Sequence, residues 1–136
     1  MTALGSNQQL VIQIVQELSN DDFKVLSPAL RAVGNFMSAE NNKIAENFLF
    51  HGVLDKFDSL LLSSNVNIIK ETLWSLSNLA AGTSDNITRL FANERIINRL
   101  SILVNNPNID IKKEALWVIS NALTCCDSQT YWEILD

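Results

Sequence analysis

Two triplets of side chains could do chemistry together. Glu71, Trp74 and Asn78 are followed 43 residues later by Glu114, Trp117 and Asn121, the same types at the same internal spacing. An indole face attracts a cation, and the methylene stem of Lys or Arg can lie along the ring. Such a contact is worth roughly 0.5–2 kcal/mol. The carboxylate three residues before each Trp could meet the cationic head. The amide four residues after it offers both a donor and an acceptor to a main chain running across it. The combination suits an extended basic polypeptide. An isolated Trp would more often pack against a neighbouring element with the Asn bracketing it, but core packing needs no recurring triplet.

Other chemistry is not visible. The 136 residues contain no phosphate loop, nucleophile motif or metal-ligand cluster, so neither an enzyme nor a cofactor is expected. Cys125 and Cys126 are adjacent, which rarely makes a sound disulfide, and reduced thiols are expected. His51 precedes Gly52 and reads as a turn histidine with no nucleophile to serve.

The triplets must be held by helices. Residues 67–82 read NIIKETLWSLSNLAAG and residues 110–125 read DIKKEALWVISNALTC, while residues 24–39, a further 43 back, read KVLSPALRAVGNFMSA. The earliest copy keeps Leu30 and Asn35 but has Arg31 where the others have Trp. At about 100° per residue, Leu26, Leu30, Val33 and Met37 form one apolar stripe, as do Ile69, Leu73, Leu76 and Ala80. In the third copy the stripe expected to be buried is Leu116, Ile119 and Leu123, with Lys112 at its start. Trp74 lies about 130° from its stripe, beside Glu71 and Asn78, on a face turned away from the core.

Between these long helices lie two shorter helical patterns per copy. Residues 41–50 and 84–92 read as first helices, and 53–62 and 96–104 as second helices, with polar turns such as Ser63-Ser64-Asn65 after them. A lone second helix over 8–18 opens the chain and a lone first helix over 128–135 closes it. Units of this length with three helices match armadillo and HEAT repeats, so the expected fold is an all-α armadillo-repeat α-solenoid. The repeats are placed at 7–39 and 126–136, both partial, and at 40–82 and 83–125. Residues 1–6 are set aside as an N-terminal extension. Both end helices carry apolar faces without a partner in the chain, including Tyr131 and Trp132, which predicts self-association or modest stability.

Composition agrees with a helical interaction domain. Hydrophobic residues make up 47% and charged residues 18%, and only 4 Gly and 2 Pro are present, too few for the turns of a small β-protein. The net charge of −5 disfavours nucleic acid, whose phosphates call for clustered Lys and Arg. No apolar run is long enough to span a membrane, and no signal peptide is seen.

The stretches KVLSPALRAVGN, IKETLWSLSNLAAG and IKKEALWVISN resemble the third helices of importin-α, the nuclear-import adaptor family. The WxxxN motifs at Trp74/Asn78 and Trp117/Asn121 resemble its signal-binding array, and SPALRAVGN resembles its repeat with Arg at the Trp position. The resemblance runs from about Gln8 to the end of the chain. It implies a right-handed superhelix with the third helices lining a concave groove. It also implies a minor site for nuclear localisation signals built from Trp74, Asn78, Trp117 and Asn121, with Glu71, Glu114, Asn35, Arg31 and Ser77 alongside. Basic cargo peptides and shuttling between cytoplasm and nucleus follow from it. Importin-β would be reached only through a basic segment not contained in this sequence. Gly82 matches the family glycine four residues after the motif Asn, whereas Ala39 and Cys125 depart from it. Asn41 stands where an acidic residue is common. A catenin-like scaffold is the alternative, but its groove should be basic where Glu71 and Glu114 stand.

Overall fold

The computed structural model describes residues 3–37 and 42–125, with side chains described from 8 to 37 and from 43 to 124. Among the described residues there are eight helices and no strand: α1 Ala3–Glu17, α2 Phe23–Met37, α3 Asn42–Phe50, α4 Val53–Leu60, α5 Val66–Ala80, α6 Ser84–Ala92, α7 Glu94–Leu103 and α8 Ile109–Cys125. The first helix starts at Ala3, ahead of the expected residue 8. The expected helix over 128–135, with Tyr131 and Trp132, lies outside the described residues, as do Ala39, Asn41, Cys126 and the side chain of Cys125. No described helix is long and apolar enough to cross a membrane.

The long helices share a start built from short polar side chains. The side chains of Asp22 and Asn65 accept from the N–H groups of Lys24 and Asn67, each at 2.9 Å. Asn108 accepts from Asp110 at 2.9 Å and Ile111 at 3.3 Å. Two residues before each cap, Asn20, Ser63 and Asn106 accept from the N–H of the capping residue itself, at 2.8, 3.1 and 2.8 Å. Each bond satisfies a donor that a turn or helix start leaves unpaired. These positions also recur every 43 residues, so the turn is part of the repeat. At the α3–α4 junction Gly52 has φ 82°, the left-handed region that favours glycine. His51 beside it meets Phe50 edge-on, with ring centroids 5.1 Å apart.

The long helices lie side by side, with α5 packed between α2 and α8. Two apolar stripes result. One comprises Leu26, Leu30, Val33 and Met37 in α2 and Ile69, Leu73, Leu76 and Ala80 in α5, all buried. The other is displaced by one residue: Ile68, Thr72, Ser75 and Leu79 in α5, and Ile111, Ala115, Val118 and Ala122 in α8, all buried. Only α5 has a described long helix on both sides, and only α5 buries both stripes. The expectation for α8 is therefore corrected. Its buried stripe is Ile111, Ala115, Val118 and Ala122, facing α5, whereas Leu116 is 48% exposed on the side where no described helix packs. The hydroxyls of Thr72 and Ser75, buried within α5, donate to the carbonyls of Ile68 and Glu71 four residues back.

Candidate functional site

The three long helices carry the residues singled out from the sequence on neighbouring positions. Arg31, Trp74 and Trp117 are equivalent, as are Asn35, Asn78 and Asn121. Their surroundings differ in ways that matter.

Trp74 is half-buried because its ring lies over Gly34 of α2. A β-carbon at Gly34 would come within 2.2 Å of Trp74 Cζ3 and 2.6 Å of Cε3, so only a glycine lets the indole sit there. The equivalent position in α5 is Ser77, which cannot offer the same seat, and Trp117 is 53% exposed. One indole is fixed as a wall and the other lies half exposed along α8.

Each motif Asn ties its helix to the preceding one. Asn78 Nδ2 donates to the Gly34 carbonyl at 3.0 Å and Asn121 Nδ2 to the Ser77 carbonyl at 3.1 Å, both partly buried. Helical spacing alone presents the whole amide to a ligand. The structure commits one N–H of each to the scaffold, which leaves Oδ1 and the second N–H. Ser77, expected among the contact residues, is buried, and its hydroxyl donates to the Trp74 carbonyl at 2.7 Å. It acts as a support rather than as a surface group. Asn35 is exposed.

The carboxylates also differ. Glu71 already holds a cation, because the Arg31 guanidinium of α2 donates to Glu71 Oε1 in an ion pair. Hydrogen bonding to Glu71, and then its charge, raise the Arg31 pKa above its ordinary value. Glu114 has no ion-pair partner among the described residues. It lines a cleft of about 250 Å³ between α5 and α8 together with Trp74, Glu71, Asn67 and Lys70. Lys70 points its charge towards Asp110, at 3.7 Å. A second cleft of about 210 Å³ runs along α8 beside Trp117 and is lined by Lys113, Leu116 and Ser120.

An indole, a half-buried carboxylate and a second carboxylate within one cleft can hold an ammonium or guanidinium group on an aliphatic stem. Free amide edges beside it can bond a main chain. Asn67, Lys70, Lys113 and Gly34 were not singled out from the sequence. Lys70 and Lys113 lie one helical turn before a Trp on the same face and Asn67 two turns before Trp74, a signal that helical spacing does carry. Gly34 gave none, because its importance comes from a ring reaching across from another helix.

The helix order, the side-by-side packing of the long helices and the amide links between them define an armadillo-repeat α-solenoid. Solved structures bear this out. The chain is similar to a designed armadillo repeat protein in complex with the peptide (KR)4, with TM-score 0.80 and 25% identity over 92% of this chain and 51% of that one. It is also similar to computationally designed armadillo repeat proteins for modular peptide recognition, with TM-score 0.76 and 24% identity over 92% of this chain and 51% of that one. An engineered protein of the same shape matches with TM-score 0.80 and 23% identity, covering 93% of this chain and 50% of that one. The chain thus spans about half the length of these three solved structures. No protein-family model and no curated protein matches the sequence.

Proposed function

We propose that this chain binds an extended Lys/Arg-rich segment across α2, α5 and α8, and that the segment is a nuclear localisation signal recognised for nuclear import. The observation that carries the reading is the cleft between α5 and α8, where Trp74 stands beside Glu71 and Glu114, the latter without an ion-pair partner among the described residues. A peptide Lys or Arg laid along Trp74 would reach Glu114, and Trp117 would contact the next stretch of the peptide. The amides of Asn78 and Asn121 would hold its backbone without regard to sequence. The likeness to a designed protein bound to (KR)4 supports basic peptides as the ligand class. The resemblance of the WxxxN motifs to importin-α supports a role in import, with the chain moving between cytoplasm and nucleus.

Calorimetric titration with a Lys/Arg-rich nuclear-localisation peptide, against a scrambled peptide of equal charge, tests this. Saturable binding of the first, well above the second, is expected. Equal weak binding of both, vanishing with added salt, would reduce the groove to a generally acidic surface.

A further inference from the structure

The 43-residue equivalence makes the spaces between adjacent long helices comparable. Between α5 and α8 the wall residue on the first helix is Trp74 and the carboxylate on the second is Glu114. Between α2 and α5 the same two positions hold Arg31 and Glu71. The second pair is closed: Arg31 reaches across to Glu71, with side-chain exposures of 65% and 24%. The first pair is open, since Glu114 has no ion-pair partner among the described residues. A cation that the ligand would bring to Trp74 and Glu114 is thus supplied by the chain itself one step earlier.

We propose that Arg31 is a built-in occupant of a cation slot, a specificity element that closes the α2–α5 position to peptide cations. A bound basic segment is then read at the open Trp74–Glu114 position onwards. This inference rests on the proposed function and adds to it which slot of the groove a ligand cation can enter. Two effects act together. Arg31 satisfies Oε1 of Glu71, so a peptide cation must displace a tethered rival of equal charge. It also places a fixed positive charge where the peptide would pass, which repels a second cation nearby. An exposed ion pair of this kind is weak enough to be displaced yet strong enough to bias the choice. The residue that α2 offers at the wall position is Arg31 itself and not an aromatic ring, so α2 gives a peptide stem no indole face to lie along.

The consequence runs against ordinary expectation for a residue in a binding groove: removing it should improve binding. Arg31→Ala should tighten binding of the peptide (KR)4 by roughly three- to tenfold at low salt, a range set by the release of one exposed pair and of its repulsion. A counterpart peptide with one basic residue kept and the rest changed to Ser should gain less than about twofold, because it has no second cation for the freed slot. Arg89→Ala, which removes an exposed cation from α6, gives the same change of net charge and should leave both affinities nearly unchanged. In the double variant Arg31→Ala with Glu71→Gln the gain for (KR)4 should disappear, while circular dichroism shows that helix content is kept in every variant.

Each outcome decides. If wild type binds (KR)4 and Arg31→Ala binds it no better, or binds it worse, Arg31 is a neutral or contributing contact. The slot proposal is then overturned and the peptide-binding function stands. If Arg89→Ala gives the same gain, the effect is one of net charge alone and the proposal likewise falls. If neither wild type nor Arg31→Ala binds either peptide, both readings are overturned. If only Arg31→Ala binds, the slot is shown to be closed in wild type.

Discussion

Substituting Gly34 by alanine tests the seat of Trp74. A β-carbon there would stand 2.2 Å from Cζ3, 2.6 Å from Cε3 and 2.9 Å from Ser75 Oγ. Carbon atoms rest at about 3.5–4 Å, so the ring or the helix must retreat by roughly 1.3 Å or more. The obstacle is a rigid ring, held in place by its own helix. Overpacking of this kind costs about 1–3 kcal/mol, while replacing glycine by alanine within a helix gains about 1 kcal/mol. The net expectation is a loss of about 1 kcal/mol, a fall of about 4 °C in Tm for a chain of this size. In a Trp74→Ala background the ring is gone and only the Ser75 hydroxyl, at 2.9 Å, still has to give, so the same change should be neutral or stabilise by up to about 1 kcal/mol, a coupling of about 1–2 kcal/mol in a double-mutant cycle followed by thermal unfolding. If Gly34→Ala stabilises both backgrounds alike, the indole does not rest on Gly34 and the distinction between a fixed and a half-exposed tryptophan fails.

Trp117→Ala should weaken basic-peptide binding by about 1–2 kcal/mol in calorimetry with Tm nearly unchanged, because the ring is half exposed. Trp74→Ala should lower both binding and Tm. Asn121→Ala removes the bond to the Ser77 carbonyl and should cost about 1 kcal/mol of stability in denaturant unfolding, while weakening peptides of unrelated sequence by similar factors. Glu114→Lys should reduce basic-peptide affinity most at low salt, the loss shrinking as ionic strength rises; a salt-independent loss would point to packing instead.

Much of the fold could be read from the sequence because repetition multiplies weak signals. The helical spacing of Leu26, Leu30, Val33 and Met37 is persuasive, and its return in Ile69, Leu73, Leu76 and Ala80 places two helices in one architecture. The same repetition misled at α8. Leu116, Ile119 and Leu123 continue the stripe in sequence, but burial depends on which neighbour is present, and α8 buries the adjacent stripe of smaller residues against α5. The site was legible to the extent that it lies along single helices: the faces bearing Glu71, Trp74 and Asn78 follow from 3.6-residue geometry. What passes between helices was not legible. Neither the Arg31–Glu71 pair, the Trp74 ring over Gly34, nor the Asn78 and Asn121 bonds to preceding carbonyls follows from spacing, since each depends on how far two helices approach and how they are offset. The amides consequently read as free ligand groups when half of their donor capacity ties the helices together.

The central claim is that a basic peptide lies along the exposed faces of α5 and α8, and its most direct measurement is a two-dimensional NMR titration of the labelled protein with (KR)4. The indole Nε1–H signals of Trp74 and Trp117 and the side-chain amides of Asn78 and Asn121 should shift together and saturate, while the backbone amides of α3, α4, α6 and α7 stay in place. Saturating shifts confined to those shorter helices, with both indole signals unmoved, would contradict the claim.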